Sequence, residues 1–321
     1  MRDFAGGPGR HGDVVPLGGG RHRCIKAHYL RQMSDLAMQM CKPQPEGPRH
    51  RDVTISGMTR QKETFDEAGA KAKWQALAPL VERMMERVGT TGEFPIAAGS
   101  SLAGDDAAAD PYQVSHMIRM CITAGTDHLH AAKVLIVDQQ VVHVAAPASL
   151  ARGALETLAA AFWVLQPTRR DERVTRSLRW HAKNMRDAEA AVGDLNLPGH
   201  RPLEEKLLKL DVVAAKRSLD TKAIRGGYTS TETVKCAEEH ASNLPLGVVL
   251  PWRVCSGFAH GRPWAYLGVS DVHVTETGEG DVVGVRLTSN LAKALYPSLA
   301  AIQLLERLLR LYEQRSGSPL V

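Results

Sequence analysis

The chain has 321 residues, 44% of them apolar and only 5% aromatic, with a formal net charge of +5. Its length suits one large domain or two small ones, and its abundance of alanine, leucine and arginine favours helices over a sheet-rich fold. The charge does not mark a nucleic-acid binder: residues 1–60 hold ten Lys/Arg and five Asp/Glu, while residues 61–321 hold thirty of each.

Residues 1–57 are rich in Gly, Pro, Arg and His. Such a composition buries too little apolar surface to offset ordering entropy, so it predicts a mostly disordered basic tail. Only "IKAHYLRQMSDLAMQM" shows periodicity, enough for a helix near residues 25–41. Met58 is an alternative start of translation, because "TFDE" just beyond it is a capping-box pattern opening a long helix. That helix carries Trp74, Leu77, Leu80, Val81, Met84 and Met85 at helical spacing and stops at Gly89. "EFPIAAGSSLAGDDAAADP" reads as a linker. A second long helix is predicted from about Tyr112 to Val142, and a third lies in "PASLARGALETLAAAFWVLQP", between Pro147 and Pro167. A charged fourth follows a cap at Thr168. "PLEEKLLKLDVVAAKRSL" gives a fifth, and "TSTETVKCAEEHA" a sixth, capped at Thr229 or Ser230. "LGVVLPWRVCSGFAHG" is a short seventh with a possible kink at Pro251.

The alternation in "AYLGVSDVHVTETGEGDVVGVRLT" breaks this pattern. Val272, Val274, Val282, Val283, Val285 and Leu287 around a Gly-rich turn predict a β-hairpin over about 265–288. A last amphipathic helix follows, interrupted near Pro297. Its stripe of Leu287, Leu291, Leu295, Leu299, Ile302, Leu304, Leu305, Leu308, Leu309 and Leu311 suits either a central bundle helix or a homodimer interface. The expected fold is mainly α, a helical bundle over residues 58–321 with an inserted hairpin.

Five scattered cysteines without CxxC spacing argue for free thiols in a reducing compartment. The N-terminus lacks the apolar run of a signal peptide, and "ALETLAAAFWVL" reads as too short and too polar to span a bilayer. The expectation is a cytoplasmic protein without a membrane partner. GxGxxG after a strand, GxxxxGK[ST], GxSxG and HExxH are all lacking, which argues against dinucleotide, nucleotide and α/β-hydrolase chemistry. No cofactor is called for. His116, Asp127, His128, His130 and His143 suggest a metal at first sight. Bundle metal sites use Glu-x-x-His pairs or a third ligand from elsewhere, and neither pattern occurs, so the expectation is no metal.

The chemical lead is "PWRVCSGFAHGRPW". On a helix, Arg253 and His260 lie seven residues apart and about 20° from each other around the axis. Ser256 sits beside them, Gly257 leaves room for a ligand, and Arg262 adds a second cation. Val254, Cys255 and Phe258 point to the core. Histidine exchanges protons near neutral pH, and arginine stabilises charge growing on a phosphate. Together they suit metal-independent RNA cleavage by the 2′-hydroxyl. Arg152 and Glu156, four apart on an apolar helix, would brace such a site or form a plain ion pair. Arg176 and His181 repeat the pairing at shorter spacing on a charged, solvated helix.

An Arg followed by four to six residues and His, late in a helical domain, resembles the HEPN superfamily. The resemblance implies a metal-independent endoribonuclease of toxin–antitoxin or phage-defence type, or an inactive RNA-binding or assembly relative. It implies His260 as general acid/base, Arg253 as phosphate stabiliser and Ser256 as orienting group, in a dimer, with an antitoxin-like protein as a candidate partner. Residues 112–265 also resemble actinobacterial helical proteins of unknown function. The alternative is a non-catalytic helical interaction protein of a defence or regulatory locus.

Overall fold

The computed structural model describes residues 65–195, 199–242, 244–276 and 283–320. Among them are eleven α-helices and a two-stranded antiparallel hairpin near the C-terminus: the chain is mainly α with an inserted hairpin, as its composition and periodicity predict. The tail expected over residues 1–57, the helix near 25–41, Met58, Cys24 and Cys41 lie outside the described residues.

Helix α1 spans Glu67–Gly89, opened by Asp66, whose Oδ1 accepts from the Gly69 amide at 2.7 Å. Thr64, the expected cap, lies outside the described residues. The expected linker contains a helix, α2 (Ser101–Ala109), because Ser100 caps it and its alanines favour helix. Helix α3 (Val114–Lys133) starts two residues later than expected, with Asp106 accepting from the Ser115 amide at 2.8 Å. It runs on through one π turn, Val134–Asp138, and stops short of Val142. Helix α4 spans Ala146–Leu165 and α5 spans Arg170–Val192. Arg169 is the cap residue of α5 and gives no side-chain bond; the expected cap, Thr168, instead offers its carbonyl to Arg173 at 2.8 Å.

Helix α6 (Leu203–Ala215) is the fifth helix expected, and a short α7 (Thr221–Gly226) follows under an Asp220 cap. Helix α8 (Ser230–His240) is capped by Thr229. Helix α9 (Val249–Ala259) has Pro251 in its first turn, where the missing N–H has no helical partner to lose. Helix α10 (Pro263–Val269) takes residues the alternation had assigned to the hairpin. The hairpin itself is narrower: β1 (Asp271–Glu276) pairs with β2 (Val283–Thr288), Val272 opposite Leu287 and Val274 opposite Val285. Val282 is outside the described residues. Helix α11 (Leu291–Ser316) is continuous through Pro297, and packing on both sides of that turn compensates for one lost backbone bond.

Helix α4 is the hub. It packs on α3, α5, α8, α9 and α11, and thirteen of its twenty residues are buried. It is the one described helix long and apolar enough to cross a membrane, longer than the twelve-residue run suggested, yet 67% of its most apolar window lies inside the bundle. A helix apolar on all sides is what a bundle centre needs. Gly125 permits the close α3–α4 approach: a Cβ there would sit 2.7 Å from the Leu158 side chain. Most of the leucine stripe of α11 is spent within the chain, while Ile302, Leu309 and Leu311 are half-buried. Leu304, Leu305 and Leu308 join the main core, while Leu295 and Leu299 join a second cluster with Trp74 and Ile136. A third, smaller cluster joins Ala148 and Ala151 of α4 to Cys255 and Phe258 of α9 and Ala265 of α10.

Candidate functional site

The residues singled out in the sequence centre on α9. The local sequence has no side-chain cap for this helix. A carboxylate from α8 supplies one: Glu238 Oε2 accepts from the Val248 and Val249 amides at 2.8 and 2.7 Å, placing negative charge at the positive end of the helix dipole. The other end closes by a Schellman motif. The Arg262 amide donates to the Gly257 carbonyl at 2.8 Å, and the Gly261 amide to the Phe258 carbonyl at 3.1 Å. Gly261 takes φ +62°, a left-handed conformation that glycine adopts without strain. This ending fixes the backbone of His260 as the C-cap. A histidine at that place also suits the negative end of the helix dipole.

Arg253, His260 and Arg262 are exposed, and Ser256 is half-buried. Among the described residues the side chains of Arg253, His260 and Arg262 make no hydrogen bond or ion pair. Arg253 and His260 are separated by about 10 Å of helix rise. The space expected at Gly257 is filled: a Cβ there would meet Ala265 and the Trp264 ring, both at 2.6 Å. The glycine lets α10 fold back on α9 and leaves no ligand room.

Glu156 reaches α9 one residue before the motif. Its Oε1 accepts from Arg152 Nε at 3.0 Å and from Trp252 Nε1 at 2.8 Å. Arg152 and Glu156 thus tie α4 to α9 through Trp252 and make no hydrogen bond to Arg253 or His260. Glu156→Ala should lower stability by about 1–3 kcal/mol, since the half-buried indole N–H and Arg152 both lose their acceptor. Thermal unfolding of the variant beside the parent measures it, and an unchanged midpoint would reduce the contact to a surface ion pair.

Arg176 and His181 have separate partners, and neither is exposed as a solvated helix face would have them. Arg176 donates to the Trp163 carbonyl at 2.7 Å and to Glu172 at 2.6 Å, and its guanidinium lies 5.2 Å from the Trp163 ring centroid. His181 points elsewhere, between Tyr112 and Trp180, its ring centroid 5.1 Å from each. Burial lowers its pKa to about 4. The histidines weighed as metal ligands have separate surroundings. His130 lies 3.3 Å from Glu82, while His128 packs where a Cβ on Gly153 would stand. Among the described residues no group of three His, Cys, Asp or Glu side chains converges to hold a metal.

The concave surface lies on the other side of α9. A cavity of about 410 Å³ is walled by Leu250, Pro251, Val254, Cys255 and Phe258, closed by the start of α4, by α10 and by the first turns of α11. Its polar lining comes from His143, Ser270, Ser289, Lys293 and Tyr296. Burial pushes the Cys255 thiol up to about 12, against a smaller pull from Arg152, so it is no thiolate nucleophile at neutral pH. Sequence reasoning missed this cavity. Its walls come from segments up to about 150 residues apart, and each segment alone reads as ordinary apolar packing. Comparison of the chain with family models, curated proteins and solved structures gives no match.

Proposed function

We propose that the protein is a non-catalytic helical binding protein of the cytoplasm. One observation carries this reading. On α9 the charged residues face solvent with no orienting partner, while the concavity on the opposite side is apolar. A general acid/base must be held within hydrogen-bond reach of the proton it moves, and an anion-stabilising arginine needs fixed geometry. Neither support is supplied to His260 or Arg253 by a neighbouring side chain among the described residues. Ligand sites, by contrast, are typically concave and mostly apolar with a few polar groups.

The second reading is a HEPN-like endoribonuclease or RNA-binding protein. What favours it is the accessibility of Arg253 and His260, about two turns apart, and of Arg262 just beyond the helix, free of ion pairs that would compete with a phosphate. In this reading two protomers join through α11 and the partner completes the site; a protein partner of antitoxin type would cover it.

Full-length protein incubated with mixed RNA in EDTA, beside a His260→Ala sample, separates the two. The first reading expects intact RNA in both. Cleavage by the parent that disappears in the variant would establish the second.

A further inference from the structure

The cavity behind α9 has a chemistry of its own. It lies within the 300–1,000 Å³ range of small-molecule sites. At about 30 Å³ per water-sized atom, 410 Å³ holds on the order of fourteen non-hydrogen atoms. The walls along α9 are Leu250, Pro251, Val254, Cys255 and Phe258, with Trp264 from α10. The polar end is at the base of the hairpin. Asp271 pairs with Thr288 as the first rung, so Ser270 and Ser289, just outside the two strand ends, meet at the cavity lining. The Ser270 hydroxyl is buried without a hydrogen-bond partner, an arrangement that costs stability until a partner arrives. Lys293, on the same side, is the cationic side chain of the lining, and Asp271 compensates it at 2.5 Å. No uncompensated lysine or arginine is therefore left in the lining to hold an anion.

We infer that this cavity binds a neutral amphipathic small molecule: an apolar body of about ten carbons lying along α9, with one hydroxyl or carbonyl head at Ser270 and Ser289. A carboxylate head would find Lys293 already engaged by Asp271, and is disfavoured. Rotation about χ1 is the freedom a serine has for turning its hydroxyl to a ligand. The assignment adds a ligand to the non-catalytic reading, and it stands or falls without reference to RNA.

The test is calorimetric titration of the full chain with 1-decanol and, separately, with decanoate at pH 8. The expected result is saturable one-to-one binding of the alcohol, with the carboxylate at least about tenfold weaker. Val254→Trp, which fills the cavity, should abolish alcohol binding. Should that variant fail to fold, Ser270→Ala serves in its place. It removes only a hydroxyl, and should weaken the alcohol about fivefold, the worth of one hydrogen bond. Absence of binding by the full chain, tighter binding of decanoate, or undiminished alcohol binding in either folded variant would overturn the assignment. RNA cleavage is read in a separate assay, so failure of the ligand and failure of the non-catalytic reading are distinguishable.

Discussion

Replacing Arg173 with methionine should lower the stability of the protein by about 3–5 kcal/mol, the largest loss expected from any single charged residue here. The guanidinium is buried, and all five of its N–H groups are used. Nε and Nη2 grip the Asp105 carboxylate at 2.6 and 2.8 Å. Nη1 takes the Pro167 and Thr168 carbonyls at 2.9 and 2.8 Å, and Nη2 also reaches the Ser101 hydroxyl at 2.7 Å. Asp105 is fully buried, so methionine at 173 leaves its charge with only the half-exposed Arg170 at 3.3 Å. It also takes the donor from the Thr168 carbonyl and the Ser101 hydroxyl, while the Pro167 carbonyl keeps Arg315 Nη2 at 2.9 Å. The double variant Asp105→Leu, Arg173→Met removes the orphaned charge but does not restore a donor to the Thr168 carbonyl or the Ser101 hydroxyl. It should therefore recover part of the loss and not all of it. Guanidinium denaturation of the parent, the two single variants and the double variant gives the coupling energy directly. A single-variant loss below about 1 kcal/mol would mean that water replaces the arginine freely.

That pair also shows where the sequence was legible and where it was not. The helical periodicities of α1, α4, α8 and α11 are local properties, and each forms close to where its pattern places it. The α2 segment read as a linker because Gly104, Asp105 and Asp106 resemble loop chemistry. What makes Asp105 tolerable in a helix is an arginine 68 residues away. The start of α9 has the same character, since its cap is Glu238 on another helix. The glycine and proline after His260 carried a local signal that was readable as a helix stop, and that stop sets the backbone of the motif residue. The interval between Arg253 and His260 predicts one shared face, and both residues are exposed. It held no information about what faces them, because partners and cavities are made by tertiary contact. The cavity behind α9 is the extreme case: the lengths of α4, α9, α10 and α11 create it, and no residue in it advertises a role.

Acid should weaken the fold through His181 before the carboxylates begin to titrate. Burial lowers the folded-state pKa of His181 to about 4, against 6.5 for the free side chain. Its Nε2 has no hydrogen-bond partner, and its ring sits between Tyr112 and Trp180. The unfolded chain therefore binds a proton below pH 6.5 that the folded chain refuses until pH 4. The stabilisation is complete above the unfolded value and is lost as pH falls through the interval, by about 3 kcal/mol in all. Glu82, Glu189 and Glu204 act in a lower window. Hydrogen bonds from Lys133, Lys206 and Arg225 hold their carboxyls below the usual 4.5, so their contributions fade only below that pH. His181→Phe keeps the aromatic contacts and removes the titration. The stability difference between variant and parent, measured by urea denaturation, should be constant above pH 7 and grow in favour of phenylalanine from pH 6.5 down to 4. A difference that stays flat across that interval would show that His181 takes up its proton in the folded state as readily as in the unfolded one. The ring would then be hydrated, and the Tyr112–Trp180 pocket around it open to water.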